Sequence, residues 1–215
     1  MRYAIVPDQN NALRLAIVIA VTGLALLAMG IVFWRQDLRY SQPTERPQDL
    51  VQAPVGTVME LPAALSSVPD LLPNRPLLLH FYNPDCPCSR FNRDHVQWLM
   101  NRFGKQVQFV SVVESGDNPT ASSGLSMPHV QDTDQQIAKA LGVYSTPQAV
   151  LLDSQRRLLF RGNFNSSRYC SARQTQYARI AIEAMLQDAG LMLEPEAVTA
   201  YGCPLPDEEC HDADH

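Results

Sequence analysis

The chain has 215 residues, 46% hydrophobic and 18% charged, which is enough apolar material for a packed core and too much for global disorder. A formal net charge of -5 argues against nucleic acid or anionic lipid as partners of the soluble part, because phosphate binding needs clustered Lys and Arg. The five cysteines, Cys86, Cys88, Cys170, Cys203 and Cys210, are odd in number and too sparse for a disulfide-framework miniprotein.

Residues 1–14 form a short N-terminal segment. Leu15 to Trp34 reads LAIVIAVTGLALLAMGIVFW without a charge. At about 1.5 Å rise per residue, roughly 20 residues cross a bilayer core. Arg14 and Arg35 flank the run, and Trp34 stands where an interfacial aromatic would. A cleaved signal peptide is the rival reading, but it would have a shorter apolar core and small residues at the cut. Here Arg35-Gln36-Asp37 follows. The expectation is a retained single anchor. Arg2 and Arg14 nearly balance Arg35 and Arg39, so the short N-terminal side, rather than charge, argues for an extracytoplasmic domain, periplasmic if the source is bacterial.

Residues 35–76 carry Pro43, Pro47, Pro54, Pro62, Pro69, Pro73 and Pro76 and read as a tether and lead-in. Leu77 to Tyr82 is an apolar run fit for a buried strand. Asn83 to Cys88 is a turn. Val96, Leu99, Met100 and Phe103 then give a helical stripe that stops at Gly104. A β-branched strand spans Val107 to Val113, and Glu114 to Pro128 reads as loop. A short helix runs from Asp134 to Leu141, and a hairpin joins Ala149–Leu152 to Leu158–Arg161. A long helix is expected from Ser167 to Ala189, with Ala178, Ile182, Met185, Leu186 and Ala189 inward. The order predicts an α/β layer, a central mixed sheet flanked by helices. Residues 206–215 read as an acidic, solvated tail.

Asp85-Cys86-Pro87-Cys88 lies between a buried strand and a helix, where an α/β sheet places its chemistry. A helix N-terminus favours thiolate over thiol, which makes Cys86 the candidate nucleophile. Cys88 is then the thiol that attacks a mixed disulfide and releases the client. An inert buried pair and a metal site are the competing readings. Metal sites usually offer two such pairs or nearby His ligands, so no metal is expected. His80 reads as a satisfied core histidine, and Trp98 as a residue packed on the sheet.

The run Phe81-Tyr82-Asn83-Pro84-Asp85-Cys86-Pro87-Cys88 and the later run Leu141 to Asp153 resemble the thioredoxin-like superfamily, in its membrane-anchored redoxin branch. The hairpin, Arg161-Gly162 and Gly202-Cys203 resemble it too, and the likeness covers residues 77–205. It implies a thioredoxin-like fold and thiol–disulfide exchange with protein thiols, with no cofactor. It also implies a cis-proline loop at Thr146 and Pro147 that faces Cys86 and holds substrate.

One departure is the single residue, Pro87, between the cysteines, where the family has two. A disulfide closed over so short a segment would be strained and oxidising. Otherwise Cys88 is not the resolving partner, and Cys170 or Cys203 are the candidates. Cys170 is also readable as a buried small residue, or as bonded to Cys203 in a structural staple. Three other functions stay open. A redoxin-type peroxidase is disfavoured by Asn83-Pro84 before Cys86, where a Thr or Ser is expected. A copper-handling module would use Cys86, Cys88 and a distant His such as His129. A redox-dead domain would only bind a partner. Neither the direction of electron flow nor the oligomeric state follows from the residues.

Overall fold

The computed structural model describes residues 9–114, 124–166 and 173–205. Cys170, Cys210 and the expected acidic tail lie outside them. The chain divides into two compact units near residue 41. In the first, helix α1 (Gln9–Ser41) is long and apolar enough between Asn10 and Arg35 to cross a membrane.

The second unit is built on a five-stranded mixed sheet. Its strands are β1 (Leu77–Tyr82), β2 (Gln108–Glu114), β3 (His129–Asp132), β5 (Gln148–Leu152) and β6 (Leu158–Gly162), in the order β3-β2-β1-β5-β6. β1, β2 and β3 run parallel, β5 is antiparallel to β1, and β6 is antiparallel to β5. A two-residue strand β4 (Ser145–Thr146) lies just before β5 and pairs outside this sheet with β7 (Cys203–Pro204). The helices are α2 (Pro87–Phe103), α3 (Gln136–Leu141), α4 (Tyr177–Leu186) and the short α5 (Pro195–Val198).

β1 is apolar along nearly its whole length because both of its faces are covered. Leu77, Leu79 and Phe81 enter one core with Val110, Val112, Ile137 and Leu141. Leu78 enters the other with Val96, Leu99, Phe103 and Phe160. Burial of each such side chain contributes roughly 1.5–3 kcal/mol. Residues 42–76 add Leu65 and Val68 to the first core. That stretch is fastened by Arg161, whose guanidinium donates to the carbonyls of Leu141 and Ala53, and by Gln52, whose amide donates to Gly142.

α2 starts where Pro87 fits a first helical position and where Cys86, in extended conformation, is the N-cap. Its inward stripe is Val96, Leu99 and Phe103, as the spacing predicts, and the Gly104 N–H closes it on the Met100 carbonyl. α3 begins where Asp132 accepts hydrogen bonds from the Ile137 and Ala138 N–H groups, and it ends at Gly142 with φ 69°.

The expected helix from Ser167 to Ala189 is shorter than its apolar pattern. Within the described residues, a 3-10 turn at Arg173–Thr175 precedes Gln176, whose φ -85° and ψ 75° are not helical, and α4 begins only at Tyr177. Ala178 and Ile182 are buried, whereas Leu186 and Ala189 are exposed. β3 follows directly on the expected loop, where no element was expected, and forms the edge of the sheet parallel to β2. The arrangement of β1-α2-β2, then a cis-proline turn, then β5-β6-α4 is a thioredoxin-like fold.

Candidate redox site

The site is assembled from three chain segments. The first is the turn between β1 and α2. Asn83 accepts a hydrogen bond from the Asp85 N–H through Oδ1 at 2.8 Å, and its own N–H donates to Ser89 Oγ at 3.3 Å. These bonds turn the chain so that Cys86 caps α2, with its carbonyl accepting from the N–H groups of Ser89 and Arg90. The Cys86 sulfur therefore sits at the positive end of the helix dipole.

The second segment is the loop at Ser145–Pro147. The Thr146–Pro147 bond is cis, as the resemblance implied, and the loop lies beside Cys86: Cys86 Sγ is 3.5 Å from the Thr146 carbonyl oxygen. The third is β7. Cys203 stands opposite Thr146 in the β4–β7 pair and is joined to Cys86 by a disulfide across 117 residues of chain. Within that disulfide Cys86 carries no proton, so its approach to the Thr146 oxygen is packing and not a hydrogen bond.

Cys86 and Cys203 are 0% and 2% exposed, so neither sulfur is open to solvent. Cys88 takes no part in this bond and is buried in the first turn of α2. Of the residues singled out by sequence, Cys86, Thr146, Pro147 and Cys203 are thus brought together, and Cys88 lies one residue beyond Pro87. Cys170 is outside the described residues.

Two features were missed by sequence reasoning. Thr44 fastens the site from the lead-in: its Oγ1 meets Ser145 Oγ and donates to the Gly202 carbonyl, each at 3.2 Å, and its N–H donates to the Ala200 carbonyl at 2.8 Å. Asn163 holds the approach to β7 from the other side, donating to the carbonyls of Glu196 and Thr199. No local pattern marks either residue as part of a site.

Behind β1, His80 is fully buried. Both ring nitrogens of His80 lack a partner among the described residues, so it is not the satisfied core histidine expected. Its ring packs edge-on against Phe164, and burial lowers its pKa to about 3, leaving it neutral. His95 stacks on Trp98, and burial followed by the charge of Arg179 lowers its pKa to about 4. Trp98 itself is 39% exposed, with the Phe103 ring edge-on to it. His129 is exposed on β3, and among the described residues no three His, Cys, Asp or Glu side chains converge as metal ligands.

The fold and this site define a thioredoxin-like protein with a disulfide at the N-terminus of its first domain helix. Residues 60–204 match the family described as Domain of unknown function (DUF6436), and the chain belongs to that family. No curated protein matches it. Among solved structures, an uncharacterized conserved protein from Geobacillus kaustophilus is 16% identical with a TM-score of 0.55, over 76% of this chain and 95% of that one. A hypothetical protein from Sinorhizobium meliloti 1021, SMc02350, is 23% identical with a TM-score of 0.51, over 61% of this chain and 79% of that one. The thioredoxin domain of the thiol-disulfide oxidoreductase BVU-2223 from Bacteroides vulgatus is 11% identical with a TM-score of 0.44, over 55% of this chain and 94% of that one.

Proposed function

We propose that this protein is a thiol–disulfide oxidoreductase that exchanges disulfides with protein thiols outside the cytoplasm, held to a membrane by residues 15–34. The observation that carries the reading is the disulfide at the N-cap of α2 beside the cis-proline loop. A sulfur there leaves well, because the helix terminus stabilises the thiolate that exchange releases. Cys86 is the exchanging sulfur. The Cys86–Cys203 bond supports giving the resolving role to Cys203 rather than to Cys88. Thr146 and Pro147 bind the client backbone next to Cys86.

In the oxidising direction a client thiolate attacks Cys86, and Cys203 leaves as a thiolate. A second client thiol attacks the mixed disulfide and expels Cys86. The client loses two electrons and the cysteine pair gains them. The same steps in reverse reduce a client.

The test mixes oxidised full-length protein in detergent micelles with a reduced, unfolded secretory protein of known disulfides, and follows thiols on both by alkylation and mass spectrometry. Client thiols should disappear as Cys86 and Cys203 become alkylatable, and Cys86→Ser should abolish the transfer. Transfer that persists in Cys86→Ser would remove the proposed role.

A further inference from the structure

The geometry around β4 carries a consequence beyond exchange itself, although it rests on that reading. β4 is an edge two residues long, and β7 adds to it as an antiparallel strand with Ser145 opposite Pro204 and Thr146 opposite Cys203. One residue further, the Leu205 N–H donates to the Tyr144 carbonyl at 3.0 Å. An extended peptide that adds to a sheet edge takes its affinity from such main-chain bonds and its specificity from alternate side chains. β7 does both, and its cysteine is bonded to Cys86.

The flanking residues fit the same description. Leu205 is 7% exposed and closes a cleft walled by Phe81, Val112, Glu114, Asp132 and Gln135. On the other side, Gly202 has φ 130°, and a Cβ there would collide with the Thr146 carbonyl oxygen. Thr44 pins the Gly202 carbonyl. Cys86 is 0% exposed in this arrangement, so an attacking thiolate reaches it along the line of the S–S bond only as β7 moves away from β4.

We propose that Gly202–Leu205 is an internal mimic of the client, a plug that occupies the client-docking edge of β4 while its cysteine is bonded to Cys86, and that leaves when the bond is reduced. The client that replaces it is an extended segment with a small residue before its cysteine and an apolar residue two positions after it. Opening consumes an external dithiol: one thiolate attacks the Cys86–Cys203 bond, and the second resolves the mixed disulfide. The dithiol becomes a disulfide, and Cys86 and Cys203 become two thiols. Without the covalent tie, the segment keeps its backbone bonds, the Thr44 bond to the Gly202 carbonyl and the Leu205 contact, which a client strand can match.

Two measurements on the full-length protein in detergent micelles test this. In the wild type, hydrogen exchange across residues 201–205 is compared before and after reduction; faster exchange after reduction is expected. Next, reduced Cys203→Ser protein is mixed with capped Gly-Cys-Pro-Leu and Gly-Cys-Pro-Asp peptides, each activated as an aryl disulfide, and the released aryl thiolate is timed. The Leu peptide should join Cys86 about tenfold faster, the worth of burying one apolar side chain in the cleft. Equal rates for both peptides at Cys86, or exchange at 201–205 that ignores reduction, would overturn the plug and leave the exchange function standing. If neither peptide reacts at Cys86, the exchange function falls and the plug with it. The wild-type measurement stands even if Cys203→Ser folds poorly.

Discussion

Reducing the Cys86–Cys203 bond should destabilise the domain by an amount that reveals which cysteines are paired. The bond closes a loop with a sequence separation of 117. In the chain-entropy model a loop of that size restricts the unfolded state by about 5 kcal/mol at 25 °C, whereas a bond between Cys86 and Cys88 would contribute only about 1.6 kcal/mol. The difference of roughly 3 kcal/mol is large against a typical domain stability of about 5–15 kcal/mol. The assay is urea unfolding of the full-length protein in micelles, oxidised and reduced, followed by near-ultraviolet circular dichroism. Cys203→Ser should be as unstable as reduced wild type and should not respond to reductant. Cys88→Ser should keep the full difference between its oxidised and reduced forms. A difference below about 2 kcal/mol in the wild type, together with its loss in Cys88→Ser, would refute the long-range pairing.

Other outcomes follow from single residues. His80 is fully buried and neutral with a pKa near 3, so the unfolded chain, with a histidine near 6.5, binds the proton first. Stability contributed by keeping it neutral is present above pH 6.5 and is lost at about 1.4 kcal/mol per pH unit as pH falls from there towards 3. His80→Leu should therefore flatten the dependence of the urea midpoint between pH 6.5 and 5; an unchanged slope would count against a buried neutral ring. Gly202→Ala places a methyl against the Thr146 carbonyl at φ 130° and should cost about 1–3 kcal/mol in the oxidised protein and much less in the reduced one, measured by the same unfolding curves. Residues 15–34 should resist alkaline extraction from membranes, and N-terminal sequencing of the native protein should begin before Leu15. A soluble product starting after Trp34 would identify a cleaved signal instead.

Much of this architecture was readable in advance where one physical signal dominates. β1 announced itself because both faces are buried and nearly every position is apolar. α2 was readable from Val96, Leu99 and Phe103, and the Thr146-Pro147 loop from the family resemblance together with its place before an apolar strand. β3 was not, because His-Val-Gln-Asp holds one inward apolar side chain, Val130, and its strand conformation comes from pairing with β2. The start of α4 was misjudged because the helix was extended ahead of its inward stripe, which begins only at Ala178, into a 3-10 turn at Arg173–Thr175 and a non-helical Gln176. The lead-in shows the same limit from the other side: Leu65 and Val68 are core residues in a proline-interrupted stretch, where no period can form to reveal them. Cys203 was visible as one candidate partner of Cys86 beside Cys88 and Cys170, and nothing local in Gly202-Cys203-Pro204 singles it out by recording that β7 returns to β4.

Whether Cys86 and Cys203 form a redox-active pair is decided by equilibrating the full-length protein in a series of glutathione buffers, trapping thiols with an alkylating reagent, and mapping the peptides by mass spectrometry. Cys86 and Cys203 should gain and lose the label together in one reversible two-electron transition, with an intact Cys86–Cys203 cross-link at the oxidising end and Cys88 outside it. A cross-link between Cys86 and Cys88, or a Cys86–Cys203 bond that no buffer in the series reduces while the domain stays folded, would contradict it.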